Sequence, residues 1–153
     1  MNCDAYHLLR PTDSGIGLIS AIQEAMLEAG VLPSEISAFN CHATSTPVGD
    51  ASEAKCIKSI IATDLNKPIK SLDEFRKISP EQISSIAADN IMMDKRSEIK
   101  TPLITALKGN LGHCVAGAGA LESAFAFLSL EAQESPPIRN LQEPLCQSLR
   151  FAR

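Results

Sequence analysis

Apolar positions along this chain recur in two periods, and the changes from one to the other mark its predicted elements. From Ser14 to Ala29, Leu18, Ile22, Ala25, Met26 and Ala29 fall on one helical stripe, and Gly30 follows as a stop. Pro33 and the polar Ser34-Glu35 make a short connection. Residues 36–41 are few, partly β-branched or aromatic, and run into a loop-forming stretch, which predicts a strand. Residues 42–49 are that loop. Asp50 starts a second helix predicted to end near Ala62, with Glu53 three residues on in a capping-box position and Ile57, Ile60 and Ile61 facing inward.

Residues 64–100 break the pattern. Lys, Asp, Glu, Ser and Arg dominate, and a weak apolar stripe (Ile83, Ile86, Ala87, Ile91) follows the helix start Ser79-Pro80-Glu81-Gln82, where proline suits the first helical position. This segment is expected to be a charged, partly helical surface insertion whose charges are solvated. Regular patterning returns at Pro102. Residues 103–107 are a compact apolar strand, followed by a glycine-punctuated loop that begins at Lys108. Residues 118–132 are apolar on nearly every face, which predicts a buried helix, ended by Ser135-Pro136-Pro137. Leu149-Arg150-Phe151 reads as a further strand. Strands alternating with helices imply an α/β layered fold with a largely parallel sheet, and sites in such sheets lie where loops leave the carboxyl ends of strands.

Composition narrows the class. The 153 residues suffice for one domain with a real core. The formal charge of −4, with no Lys/Arg cluster, argues against nucleic acid. One Tyr and no Trp leave few aromatic platforms for stacking bases. No run is expected to reach the roughly 20 apolar residues of a membrane span. Five scattered cysteines, none in a C-x-x-C pair, fit a reducing compartment. The amino terminus has neither a secretory signal nor an Arg-rich presequence, which for a complete protein points to the cytosol.

Candidate chemistry gathers in two loops. Residues 40–50 and 108–119 hold two of the three histidines, each just beyond a predicted strand and each among small residues that let a ligand approach the backbone. Either histidine on its own could equally be a satisfied structural group.

The wording of the loops goes further. His42-Ala43-Thr44-Ser45-Thr46-Pro47-Val48-Gly49-Asp50 resembles the histidine motif of β-ketoacyl-[acyl-carrier-protein] synthases of the KAS I/II type. Lys108-Gly109-Asn110-Leu111-Gly112-His113, continuing through Ala116-Gly117-Ala118-Gly119, resembles that family's Lys–His motif. Asp4-Ala5-Tyr6-His7 and Pro136-Pro137-Ile138-Arg139-Asn140-Leu141 also match family segments, so the resemblance spreads over nearly the whole chain.

The resemblance implies a thiolase-like α/β/α/β/α fold, of which this sequence corresponds to the C-terminal half, incomplete at both ends. It implies fatty acid biosynthesis by decarboxylative condensation of malonyl-carrier protein with an acyl thioester. His42 and His113 would donate hydrogen bonds to the malonyl thioester oxygen as it gains charge, which needs two convergent donors. Lys108 would be the family lysine and Glu53 its acidic partner, while Thr44 and Thr46 would bond the phosphopantetheine arm. That arm is carried by the acyl carrier protein, so no cofactor or metal of the chain's own is implied. Partners would be acyl and malonyl carrier protein, an N-terminal half and a second copy in a homodimer, with neither nucleic acid nor membrane. Ala43, at a position that is Gly in many bacterial members, points to the mitochondrial form and so to the matrix, with the cytoplasm as alternative.

Other readings stay open beside these. Glu53 could serve only as a capping-box residue, Thr44 and Thr46 could only shape the turn, and His7 could be structural. The family's nucleophilic cysteine sits at a strand-to-helix turn that none of the five cysteines occupies, so the isolated chain is expected to be inactive. A Cys–His dyad from Cys41 or Cys114 is disfavoured because adjacent residues on an extended segment point opposite ways. A zinc site from Cys41, His42, His113 and Cys114 would need four ligands to converge tetrahedrally. A non-catalytic subunit that binds carrier protein or an active partner remains the alternative function.

Overall fold

The computed structural model describes residues 12–86, 101–146 and 149–153, so the segment 4–7, together with Ala87 and Ile91, lies outside the described residues. The elements follow in the order α1 (Ile16–Ala29), β1 (Ala38–Asn40), α2 (Pro47–Asn66), α3 (Leu72–Arg76), α4 (Pro80–Ser85), β2 (Leu103–Thr105), α5 (Lys108–Leu111), α6 (Ala118–Ala132) and β3 (Arg150–Phe151). Short 3-10 turns at Pro33–Glu35 and Val115–Gly117 precede β1 and α6. The three strands form one parallel sheet in the order β1-β2-β3, with Phe39 opposite Ile104 and Ile104 opposite Phe151. The α/β alternation and the parallel sheet agree with the sequence pattern.

Helix α1 ends where glycine predicts: Gly30 adopts φ 72°, and the N–H of Val31 bonds the Met26 carbonyl. Its buried stripe, however, is not the one the apolar pattern selects. Ile19, Gln23 and Met26 are buried, while Leu18, Ala25 and Ala29 are exposed. The polar residue explains the rotation. Gln23 donates through Nε2 to the carbonyls of Phe75 (3.0 Å) and Ile78 (2.8 Å), which draws that side of the helix inward.

Helix α2 starts three residues before the predicted Asp50. Thr46 is extended, Pro47 takes the first helical position, and the Asp50 N–H already bonds the Thr46 carbonyl. Glu53 therefore lies too far into the helix to cap it. The inward triplet Ile57, Ile60 and Ile61 is buried as expected, and two clusters use α2. Cys56 and Ile60 pack with Ile19, Met26, Ile69, Phe75 and Ile83; Ile57 and Ile61 pack with Cys41 and Ile104 of the sheet side.

The segment after Asp64 departs from a solvated insertion. Ser79 caps α4 and exchanges bonds with Gln82 as the sequence indicates, but Phe75 and Ile83 are both fully buried in the main core. Among its described residues Asp73, Arg76, Lys77 and Glu81 are exposed, while Ile69, Phe75 and Ile83 pack with Ile19 and Met26 of α1.

Helix α6 carries the largest correction. Its bounds match the predicted 118–132, but only Ala118 is buried; Phe127 is 73% exposed and Leu130 64%. The apolar surround that predicts burial meets no covering element among the described residues. Val115–Ala132 is also long and apolar enough, by length and composition, to cross a membrane, contrary to the expectation of no such run.

Candidate active site

Both histidine loops leave the carboxyl ends of adjacent parallel strands, His42 after β1 and His113 after β2. Strand pairing sets Asn40 beside Thr105, and the Cys41 N–H continues the ladder by bonding the Thr105 carbonyl at 2.8 Å. The two imidazoles then converge. Their ring centroids lie 5.4 Å apart in an edge-to-face arrangement, and both residues are exposed.

The first loop is held from below by a carboxylate. Glu53 accepts from the N–H of His42 at 2.7 Å and from that of Ala43 at 2.9 Å, one bond per oxygen. A carboxylate that takes two adjacent backbone donors fixes the peptide plane on which the histidine stands. Ala43 and Ser45 have φ of 37° and 63°, a left-handed region that L-residues enter at a cost. The grip of Glu53 on Ala43 holds the first of them there. Between them stands Thr44, whose hydroxyl lies 3.3 Å from that of Thr46. Thr46 doubles as the N-cap residue of α2 without a side-chain cap bond.

The second loop folds into the short helix α5, a left-handed Val115 (φ 47°) and the 3-10 turn that enters α6. The Val115 N–H donates to Nδ1 of His113 at 3.2 Å. A neutral imidazole that accepts a hydrogen bond at Nδ1 carries its proton on Nε2, which leaves Nε2–H as the donor. Lys108 does not pair with Glu53. Its ammonium makes a hydrogen-bonded ion pair with Glu122 of α6, both side chains being largely buried. Glu122 is the residue that sequence reading misses. The signal is partial: α6 holds two carboxylates among apolar residues, Glu122 and Glu131, and only the one that leaves water requires a partner.

Cys41 is 7% exposed while its neighbour His42 is exposed, so the two side chains part as strand alternation demands. Burial, reinforced by Glu53 and Asp50, pushes the Cys41 thiol up to about 12. It is a neutral thiol near pH 7 and no nucleophile. The same opposition of Cys41 and His42 removes the pair from a common zinc site. Cys41 instead faces a cavity of about 590 Å³ between α2, β2 and the 138–146 segment, which the two histidines do not line.

Residues 1–72 and 78–142 match the family described as the beta-ketoacyl synthase, C-terminal domain. A mitochondrial 3-oxoacyl-[acyl-carrier-protein] synthase of Arabidopsis thaliana is 28% identical over 94% of this chain and 24% of its own length. A chloroplastic synthase I of Hordeum vulgare is 31% identical over 94% of the chain and 24% of its own. A synthase 2 of Vibrio cholerae is 30% identical over 94% of the chain and 27% of its own. The chain spans about a quarter of the length of these curated relatives. With histidine loops, lysine and family match all in one ordered segment, this chain belongs to the β-ketoacyl synthase family, as a stretch of its C-terminal domain.

Proposed function

We propose that the chain supplies the decarboxylating half of a 3-oxoacyl-[acyl-carrier-protein] synthase site in fatty acid biosynthesis. The convergence of His42 and His113 at 5.4 Å carries this reading. Malonyl-carrier protein loses CO2, and the electron pair left behind becomes an enolate whose oxygen bears the charge. Two N–H donors aimed at that oxygen favour the transition state over the ground state. The carbanion then attacks the acyl thioester, whose sulfur leaves with the electron pair. The Val115 bond to His113 supports the donor role by fixing its tautomer. Lys108, neutralised by Glu122, and Glu53, gripping the first loop, act as orienting groups. Thr44 and Thr46 stand where hydroxyls could bond a phosphopantetheine arm, which the acyl carrier protein would bring.

The nucleophilic cysteine, on this reading, belongs to an N-terminal half that the chain does not span, and the complete site forms in a homodimer. Relatives named as mitochondrial, from Arabidopsis thaliana and Schizosaccharomyces pombe, support the mitochondrial matrix. The uncovered apolar face of α6 favours a second reading, a non-catalytic subunit that must seat on a partner.

The chain joined to an N-terminal half tests both. His113→Ala is expected to lower malonyl decarboxylation at least about 100-fold, the scale of losing one oxyanion donor, while cysteine acylation persists. Equal loss of both steps would remove His113 from this role. Failure of the wild-type assembly to decarboxylate at all would favour the subunit reading.

A further inference from the structure

We infer that Asn110 is a positioning residue that docks the Lys108–His113 arm onto the sheet through the Pro137–Arg139 backbone. The inference rests on Lys108 and His113 belonging to the site. Asn110 is the middle of the single turn α5, and its side-chain amide works in both directions. Nδ2 donates to the Pro137 carbonyl at 3.2 Å, and Oδ1 accepts from the Arg139 N–H at 3.2 Å. The two bonds bracket Ile138, the pattern by which a neighbouring strand's peptide group would pair with it.

Ile138 is tied on its other side. Its N–H bonds the Ala152 carbonyl at 3.2 Å, and the Ala152 N–H bonds the Ile104 carbonyl of β2 at 2.9 Å. A continuous series of backbone bonds therefore runs from β2 through the end of β3 to residue 138, and the Asn110 amide adds the last link. Gly109 makes the approach possible. A Cβ there would stand 2.7 Å from the Arg139 carbonyl oxygen, closer than real contacts allow, and that oxygen belongs to backbone. Two consecutive residues, one without a side chain and one with a planar amide, thus seat the turn against the same three-residue stretch. No other side chain of α5 does this, because Lys108 is committed to Glu122.

What depends on the seat is direction. The turn emits Lys108 at its start and His113 just past its end, and the Gly112 N–H closes it on the Lys108 carbonyl at 2.9 Å. Freed from residues 137–139, the turn would keep its internal bonds but swing on the end of β2. His113 would then lose its approach to His42, and Val115, a β-branched residue held at φ 47°, would be free to relax and drop its bond to the His113 Nδ1.

The experiment uses the full 153-residue chain. Amide hydrogen exchange, followed by mass spectrometry so that self-association does no harm, is compared between wild type, Asn110→Ala, Asn110→Asp and Gly109→Ala. Long-range proton–nitrogen spectra in mildly alkaline buffer report the His113 tautomer. Asn110→Ala is expected to speed exchange over residues 111–113 about tenfold or more, the signature of local opening, with α2 protection unchanged. The His113 spectrum should change from one tautomer to a mixture. Asn110→Asp keeps the acceptor for Arg139 and loses the donor to Pro137, so its effect should be intermediate. Gly109→Ala should disturb the same residues by a different route. Unchanged exchange over 111–113 in Asn110→Ala, or a retained single tautomer, overturns the inference. If Asn110→Ala does not fold, the two other variants decide by the same criteria. A synthase reading that failed its decarboxylation assay would leave these exchange and tautomer results standing, so the two failures are distinguishable.

Discussion

Helices α2 and α6 each follow a histidine loop off neighbouring strands, and they differ in the opposite sense to their compositions. Helix α2 carries Asp50, Glu53, Lys55, Lys58 and Asp64, and still buries Cys56, Ser59, Ile60 and Ala62 completely. Helix α6 has an apolar surround interrupted by Glu122 and Glu131, and leaves Phe127, Leu128 and Leu130 in solvent. Composition expresses how much a helix gains from cover; neighbours decide whether it is covered. Around α2 stand α1, α4 and the sheet. Around α6 the described residues supply little beyond the turn that leads into it and the Lys108 ammonium.

The sharpest way to break this contrast is a pair of phenylalanines. Phe75→Ala, in the fully buried core beside α1, should cost about 3–5 kcal/mol in chemical denaturation. Phe127→Ala, on exposed α6, should change the unfolding free energy by less than about 0.5 kcal/mol. A comparable loss at Phe127 would mean that α6 is covered in solution.

The buried side also predicts a pH effect. Burial pushes the thiols of Cys41 and Cys56 up to about 12 and about 11. Below about pH 8.5 both folded and unfolded chains hold these protons, and neither thiol affects stability. Above it the unfolded chain releases them first, so stability should fall from about pH 9 towards pH 11. Thermal melts across that range check the direction, and Cys41→Ala with Cys56→Ala should flatten the slope. A slope that persists in the double variant would place its origin elsewhere.

Smaller effects belong to the loop between the two regions. Glu53→Ala removes two bonds to backbone N–H groups and should cost about 1.5 kcal/mol, with faster exchange at His42 and Ala43. Ala43→Gly relieves a left-handed alanine, offset by the entropy of glycine, and should stabilise by about 0.5–1 kcal/mol in urea titration. A destabilised Ala43→Gly would show that the methyl group packs against something of value.

Strand, loop and helix order is legible because local rules govern it. Gly30 ends α1, Ser79-Pro80 starts α4, and each histidine falls past a strand, all from signals within a few residues. Glu53 as Lys108's partner, the stripe of α1 and the cover of α6 are set by distant contacts, and there the sequence misleads. Gln23 turns inward because carbonyls some fifty residues away accept its amide. Lys108 finds Glu122, 14 residues on, because the turn after β2 brings α5 against the first turns of α6, where both groups leave water, and Glu53 is already taken by two N–H groups. Phe75 and Ile83 sit inside a charged segment whose average conceals them.

The Lys108–Glu122 pair has one more consequence. Glu122 rides on α6, whereas Lys108 stands on the turn that follows β2, so their ion pair makes the apolar helix a lever on the site. Any body that seats on Phe127 and Leu130 would also set where the lysine stands. Among the described residues that joint is already made while α6 is uncovered, so the lysine is held in place before any such body arrives.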